Sequence, residues 1–298
     1  MILSDLVAGW IDARSLNLAA STISGYRRLY RLYIAPSRVG GVEVSGLDGS
    51  DMLELLRPLI DRGCTRQAQL LQTLVSAALR SAVKKRLLSF NPMDEVDRVR
   101  HHSTVTPWLT VDQARLLLET SKDAHDRYYI AWLLMLCCGL RRGEMLALKW
   151  SDVDELRSEL HVCRQLVVVD GRVLITRPKS LSSIRDIPLD DAVLTVLRLH
   201  PRTGDDILNG VTRSMLADGL DRAIDRAGLP RVTLHGLRHT MASVAVDGSV
   251  DVRVLQSIMG HAHFQTTADI YAHVNQQPRV EAMKTIANRL LPARLEIA

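Results

Sequence analysis

A polar stretch without hydrophobic periodicity, residues 98–107 (RVRHHSTVTP), separates two parts of the chain that differ in their hydrophobic patterns. It ends in a proline, and such a composition is typical of a linker between domains. The length of 298 residues also fits two ordinary domains better than one. We therefore expect one domain over residues 1–97, a linker over residues 98–107 and a second domain over residues 108–298.

The part before the linker has the apolar spacing of helices throughout. We expect helices that begin at the capping pair Ser21-Thr22, at Asp51 and at about Thr65, the last of them closed by Asn91-Pro92. Each carries a series of apolar residues: Ile23, Tyr26, Tyr30 and Tyr33; Met52, Leu55, Leu56 and Leu59; Leu70, Leu71, Leu74, Ala77, Ala78 and Val83. This pattern predicts a small helical bundle without an obvious catalytic residue.

The part after the linker mixes helical and β-prone patterns. Helical patterns cover about residues 110–120 and 124–139 and return toward the C-terminus, with short β-prone runs between them: 159–163, 165–169, 172–176 and 184–189. Asp170-Gly171 lies between two of these runs and indicates a hairpin turn. The predicted fold class is mainly α with a small antiparallel β-sheet.

The charge of the chain favours a polyanionic partner. The net charge is +5 at pH 7 and the isoelectric point is near 9.2. Residues 57–86 hold a single acid, Asp61, and a run of bases: Arg57, Arg62, Arg66, Arg80, Lys84, Lys85 and Arg86. Such a run is often only a solvated helix face, and a nucleic-acid contact is the alternative.

The sequence predicts neither a membrane span nor a signal peptide. It contains no run of about 18 apolar residues, and the N-terminal MILSDLVAGW has an acid but no basic region. We therefore predict a cytoplasmic protein. The cysteines form no C-x-x-C pair and predict neither a disulfide framework nor a cysteine-based zinc site: Cys64, Cys137, Cys138 and Cys163.

Two segments of the second part place a cation at a turn or in a loop. In CGLRRGE, a glycine after an apolar helix lets the backbone turn and presents Arg141 near a buried helix end. In PKSLSSIR, Lys179 lies between two predicted strands, on a loop that can reach into a neighbouring groove. Taken singly, an ordinary surface arginine and a solvated loop lysine are the alternatives.

A third segment, HGLRH, carries two histidines and an arginine. If it is helical, His235 and Arg238 share a face and His239 is adjacent to them. Two histidines at this spacing can also bind zinc, but the glutamate of the zincin motif and a third ligand are missing. We therefore predict no metal site here.

A fourth segment, MGHAHFQTTADIY, combines a histidine and a tyrosine. Gly260 ends one helix, and Thr266 with Asp269 forms a capping box that begins the next. Tyr271 then lies in the second turn of a short helix, with His261 at the preceding junction. A tyrosine packed in an ordinary helix is the alternative.

Together these residue types suit phosphoryl transfer without a metal. The transition state gathers negative charge on its non-bridging oxygens, which two guanidiniums and a histidine N–H can neutralise. A tyrosine with an ordinary pKa of about 10 needs a base and a positive field to act as a nucleophile. The leaving oxygen needs a proton, which a lysine ammonium can donate.

The segments GLRRGE, PKSLSSIRDIPL, HGLRHT and MGHAHFQTTADIY resemble the signature motifs of tyrosine recombinases (phage integrases), in the family's order. This resemblance implies that Arg141 and Arg238 bind the scissile phosphate, with His261 as a third ligand. It also implies that Lys179 is the general acid, His235 the general base and Tyr271 the nucleophile. Glu144, by the same resemblance, supports Arg141 without contacting the phosphate.

The N-terminal part resembles the core-binding domain of the same family in TISGY (22–26) and in AVKKR (82–86) with Asn91-Pro92. The resemblance implies a SAM-like helical bundle and DNA contacts by these basic residues: Arg66, Arg80, Lys84, Lys85, Arg86 and, in the second domain, Arg185. Cys138 and Ile184 depart from the family, which often has threonine and arginine there. An arm-type DNA-binding domain is not expected.

The family implies a site-specific recombinase that integrates and excises phage or mobile-element DNA through a 3′-phosphotyrosine and a Holliday junction. Its expected partners are double-stranded DNA, three further copies of the chain and an accessory bending or directionality factor, with no cofactor. A helix over about residues 279–291, with Val280, Met283, Ala287 and Leu290 on one side, would dock on a neighbouring protomer or pack on its own domain. A Xer-type resolvase, a type IB-like topoisomerase and a non-catalytic DNA-binding module are the alternatives.

Overall fold

In the computed structural model, which describes residues 1–101, 106–178 and 180–260, the chain divides into two compact units. Their bounds are Met1–Thr104 with Val168–Leu174, and Val105–Val167 with Ile175–Ala298. The predictions for Lys179, His261, Tyr271 and residues 279–291 therefore lie outside the described residues. No helix of the described ranges is long and apolar enough to cross a membrane.

Helices dominate the first unit: α1 Leu3–Arg14, α2 Ala20–Leu29, α3 Gly49–Ile60 and α4 Thr65–Lys84. A π-helical turn, Tyr30–Ile34, extends α2, and short 3₁₀ turns cover Val39–Gly41, Val44–Gly46 and Pro92–Glu95. The apolar faces of the helices meet in one core, where Leu3, Leu56 and Leu71 are fully buried. The predicted helical bundle is confirmed.

The helix starts in this unit differ from the predicted ones. Helix α2 begins after Ala19, which provides no side-chain cap, so Ser21 and Thr22 lie inside the first turn. Helix α3 is capped by Asp48, whose carboxylate accepts from the backbone N–H groups of Ser50 and Asp51. Asp51 completes a capping box from within the helix and does not open it.

The segment after α4 is bound to that helix over part of the predicted linker. Helix α4 ends at Lys84, well before Asn91, which instead caps the 3₁₀ turn. The buried amide of Gln72 donates to the carbonyl oxygen of Asp97 (3.0 Å) and accepts from the N–H of Val99 (2.9 Å). The first residues of the stretch 98–107 therefore have a defined path along α4.

In the second unit, helices surround short strands. The helices are α5 Val111–Asp123, α6 Tyr129–Cys137, α7 Arg142–Met145, α8 Asp191–Leu199, α9 Arg213–Ala227, α10 Leu234–Asp247 and α11 Val252–Met259. Helix α6 is buried on nearly every side, and α10 packs directly against it. This central position explains why the sequence of α6 is apolar all round.

Within the described residues the strands form two sheets, where the sequence predicted one. Strands β1 Val153–Asp154, β2 Glu159–Val162 and β5 Arg185–Pro188 make an antiparallel sheet in the order β1-β2-β5. Strands β3 Gln165–Val169 and β4 Arg172–Thr176 form a separate hairpin. Its turn residues have positive φ, 49° at Asp170 and 77° at Gly171, which confirms the predicted turn. The fold class is confirmed.

The start of the second unit is joined to α10 by one buried hydroxyl. Thr240 accepts a hydrogen bond from the backbone N–H of Leu109 (2.9 Å) and donates to the carbonyl oxygen of Gly236 (2.9 Å). A methyl group on Gly236 would lie 2.5 Å from the carbonyl oxygen of Pro107, so the chain passes very close to α10 here. This contact holds the N-terminal turn of α10 in place.

Replacing Thr240 by valine should lower the free energy of unfolding by about 1–3 kcal/mol, because the buried N–H of Leu109 would lose its acceptor. Urea unfolding followed by circular dichroism measures the change. Thr120→Val is the matched control, since the Thr120 hydroxyl donates only to carbonyls of its own helix. An equal decrease in the free energy of unfolding of both variants would show that the hydrogen bond from Leu109 to Thr240 does not stabilise the fold.

Candidate functional site

A turn after α6 presents Arg141. Gly139 adopts the left-handed conformation with φ of 61°, as predicted for the glycine of CGLRRGE. Arg141 then becomes the N-terminal cap of the short helix α7, and its backbone N–H donates to the carboxylate of Glu144 (2.9 Å). Its side chain remains partly exposed, so it can still meet a ligand.

Arg238 lies on α10 and is almost completely buried, with 1% of its surface exposed. Its guanidinium donates to the carbonyl oxygens of Gly139 and Met259, the latter at 2.6 Å. Burial, followed by the charge of Arg141, lowers the pKa of Arg238 to about 9. The group therefore stays cationic at neutral pH.

Three arginines bind the C-terminal end of α11. The last carbonyl groups of a helix lack intrahelical partners and carry partial negative charge, which cations stabilise. Each guanidinium donates to a different, successive carbonyl oxygen: Arg185 to Ile258 (2.5 Å), Arg238 to Met259 (2.6 Å) and Arg141 to Gly260 (2.8 Å). The arginines come from three distant segments, so the end of α11 connects strand β5, the turn after α6 and helix α10.

Glu144 connects two of these arginines. It is 2% exposed and accepts from the side chains of Arg141 (2.7 Å) and Arg185 (3.0 Å). Burial alone would raise the pKa of the carboxyl group, but the hydrogen bonds and charge of Arg185, followed by those of Arg141, lower it below its ordinary value. Glu144 is therefore ionised and compensates two guanidiniums.

Gly260 ends α11 as predicted, in the left-handed conformation with φ of 61°. A Cβ atom there would lie 2.9 Å from the carbonyl oxygen of Ser182 and 3.2 Å from the guanidinium of Arg185. Both the backbone conformation and the space therefore require glycine at this position. The next residue, His261, is the first beyond the described range.

His235 and His239 lie on α10 as predicted, with their rings edge to face and 4.6 Å between centroids. Desolvation, followed by the nearby His239, Arg238, Arg141 and Arg142, lowers the pKa of His235 to about 4. Its imidazole is thus neutral at neutral pH and can accept a proton. Within the described ranges, no three His, Cys, Asp or Glu side chains group closely enough to hold a metal ion.

The position of Arg185 does not fit the DNA contact predicted for it. The residue is 8% exposed, and its donors are directed to Glu144, Ile258 and Ser183. The sequence does not predict this burial, because the partner Glu144 lies 41 positions away. The other predicted DNA contacts are exposed in the first unit: Arg66, Arg80, Lys84, Lys85 and Arg86. Of these, Arg80 pairs with Asp94 at 3.2 Å.

Comparison with known proteins gives a consistent result. Residues 107–278 match the Phage integrase family. Tyrosine recombinase XerA of Thermococcus onnurineus is 30% identical, over 83% of this chain and 84% of its own length. A Tyrosine recombinase XerC-like protein of Caldanaerobacter subterraneus is 24% identical, over 95% of this chain and 82% of its own length.

Solved structures share the fold. The Tn1549 transposon integrase, in complex with a circular intermediate DNA, superposes with a TM-score of 0.82 at 22% identity, covering 96% of this chain and 99% of its own. A lambda integrase tetramer bound to a Holliday junction superposes with a TM-score of 0.68 at 16% identity, covering 91% and 77%. Both similarities extend over most of the chain.

Replacing Glu144 by glutamine should lower the free energy of unfolding at neutral pH by about 3–5 kcal/mol, because the buried guanidinium of Arg185 and the partly exposed one of Arg141 would lose their counter-charge. The native pKa of Glu144 is lowered from the ordinary 4.5, so its stabilisation is complete above that pH. It is lost as the pH falls through the native pKa. The difference between variant and wild type, measured by urea unfolding, should therefore shrink in acid.

Glu155→Gln is the matched control for this experiment. Glu155 also pairs with two arginines, Arg198 (3.0 Å) and Arg202 (2.7 Å), but it is 38% exposed. Such an exposed pair is screened by solvent and contributes far less than a buried one. A Glu144→Gln variant no less stable than Glu155→Gln would contradict the compensating role of the buried carboxylate.

Proposed function

We propose that this chain, which belongs to the phage integrase family, integrates and excises phage or mobile-element DNA through a 3′-phosphotyrosine at Tyr271. The chain is a site-specific tyrosine recombinase, an enzyme that transfers DNA strands. The resemblance of the sequence segments to this family is confirmed. The observation that carries the proposal is the convergence of Arg141 and Arg238 on the end of α11. From this end the chain continues into His261 and Tyr271.

In the proposed reaction, Arg141 and Arg238 bind the scissile phosphate together with His261. A guanidinium has five N–H donors, and the hydrogen bonds to Glu144 and to backbone carbonyl oxygens engage only some of them on each arginine. In the proposal, the remaining donors bind non-bridging phosphate oxygens, whose negative charge grows in the transition state. Glu144 supports this arrangement because it fixes the orientation of Arg141 without contacting the phosphate.

Two further residues handle protons in the proposed mechanism. His235 accepts the proton of the Tyr271 hydroxyl as the phenolate attacks phosphorus, and its neutral imidazole supports this role. Lys179 donates a proton to the leaving 5′-oxygen. The phosphotyrosine conserves the energy of the broken bond, so a second 5′-hydroxyl can reverse the step with a different strand. No cofactor or metal is needed for this cycle.

The proposal includes duplex DNA as substrate and a homotetramer as the active assembly. Support comes from the exposed bases along and after α4, among them Arg66, Lys84 and Lys85, which suit phosphate contacts. Further support comes from the related lambda integrase, whose tetramer is bound to a Holliday junction. The helix predicted over residues 279–291 would join neighbouring protomers, and an accessory factor would set the direction of recombination.

A Xer-type resolvase is the second candidate function, favoured by the names of the relatives XerA and XerC-like. The chemistry of the two candidates is the same. Substrate choice separates them, since a resolvase recombines dif-like sites and an integrase recombines attachment sites. A recombination assay with both kinds of site, taken from the genome that carries the gene, distinguishes them.

Tyr271→Phe should bind DNA normally and form no covalent adduct, because only the attacking oxygen is removed. The adduct is measured by denaturing gel electrophoresis after incubation with a nicked suicide substrate, in which the cleaved end cannot be rejoined. Tyr129→Phe is the control, since Tyr129 lies on α6 and should leave adduct formation unchanged. A protein–DNA adduct formed by Tyr271→Phe would exclude Tyr271 as the nucleophile.

The imidazole of His235 should titrate near pH 4, far below the ordinary value of 6.5. Histidine-selective NMR of the free protein measures this, and His239→Gln should shift the titration upward because it removes the largest charged cause. Because His235 is neutral above pH 4, its protonation should not lower the rate of cleavage as the pH falls through 6.5. Titration of His235 near pH 6.5 in the wild type would contradict this environment.

A further inference from the structure

A cavity of about 590 Å³ opens beside Arg141, between α7, α9 and the start of α10. Its lining includes Arg142, Asp221, Thr233 and His235 in addition to Arg141. The cavity is therefore continuous with the residues to which we assign binding and proton transfer at the scissile phosphate. Arg142 has no role in that assignment.

The charge of this cavity is positive. Two guanidiniums line it, and His235 adds no negative charge. The acid in the lining, Asp221, already pairs with Arg231 at 2.9 Å. Because Glu144 compensates Arg141, an anion that enters the cavity would meet the uncompensated charge of Arg142.

Arg142 differs from the neighbouring arginines in its contacts. Arg141 and Arg185 bind Glu144, whereas the Arg142 side chain has neither a hydrogen bond nor an ion pair with any residue of the described ranges. Partial burial, followed by the charge of Arg213, lowers the pKa of Arg142. Burying a cation without a counter-ion is unfavourable. A bound anion would offset this cost and raise the pKa of Arg142 again.

The backbone at Arg142 is held in position by close packing. A Cβ atom on the next residue, Gly143, would lie 2.8 Å from the backbone carbonyl oxygen of Leu166 in β3. The N-terminal turn of α7 is thus pressed against this strand, and Arg142 begins from a fixed point on the cavity wall. A fixed starting point reduces the entropy lost when the side chain binds a ligand.

We propose that Arg142 binds a second phosphate of the DNA backbone, other than the scissile one, in the cavity beside Arg141. A guanidinium can form two parallel hydrogen bonds with a phosphate. The inference rests on the proposed function, because it takes the DNA bound for cleavage as the source of the phosphate. The site would set the register of the DNA strand on the enzyme before the chemistry begins.

Arg142→Gln should weaken binding of an attachment-site duplex by about tenfold at fixed salt, as expected for one lost charge-assisted contact. The logarithm of affinity should also fall less steeply with the logarithm of salt concentration, by about 0.9 in slope. Fluorescence anisotropy measures both. Arg226→Gln is the control, because Arg226 is exposed and already pairs with Asp126 at 3.3 Å. It should change neither quantity.

A set of duplexes with single methylphosphonates, each removing the charge of one phosphate, locates the contact. At one position other than the scissile phosphate, neutralisation should weaken wild-type binding about tenfold yet leave Arg142→Gln unaffected. If the losses from variant and methylphosphonate multiply at every position, Arg142 binds no DNA phosphate. If inorganic phosphate binds to the wild type and not to Arg142→Gln while no methylphosphonate position shows coupling, the cavity binds a free anion and the assignment to DNA is wrong.

The same wild-type protein is incubated in parallel with the unmodified suicide substrate. Adduct formation without coupling at any methylphosphonate refutes the role of Arg142 and leaves the proposed function intact. Absence of the adduct refutes the proposed function whatever the binding data show.

Discussion

The buried carboxylate of Glu144 is the charge on which the arrangement of the second unit depends. Arg141, Arg185 and Arg238 converge within one small region, where they repel one another and have lost much of their hydration. Glu144 compensates two of them directly, and the end of α11 offers carbonyl oxygens to all three. Without the carboxylate, this concentration of positive charge would be too costly to keep buried. The same positive field would suit the phosphate and the tyrosinate nucleophile that we propose for this site.

Local patterns in the sequence were sufficient to predict most elements. The apolar spacing of α4, the turn at Asp170-Gly171 and the left-handed glycines at positions 139 and 260 depend on neighbours within a few residues. Predictions failed where a better local partner competed. Asp48 caps α3 in place of Asp51, and strand β1, with two residues, is too short to produce a pattern.

The candidate site was predictable in its residue types and less so in its contacts. Arg141 and Arg238 were predicted to meet at a phosphate, and the structure adds that both donate to the end of α11. The burial of Arg185 could not be predicted, because an arginine in a short strand looks exposed until its distant partners are known. The sequence does not single out Arg142 either. It adjoins a motif residue, and only the shape and charge of the cavity distinguish it.

The assignment of one arginine to each of three successive carbonyls has a consequence for the evolution of this enzyme. Each residue of an α-helix advances the rotation by about 100°. A single insertion or deletion within α11 would therefore turn its end away from all three guanidiniums at once. Surface loops accept such changes readily. Homologues that keep these arginines should vary in length before Val252 and conserve the spacing from there to Gly260, because the length of α11 sets the position of the carbonyl groups that the arginines bind.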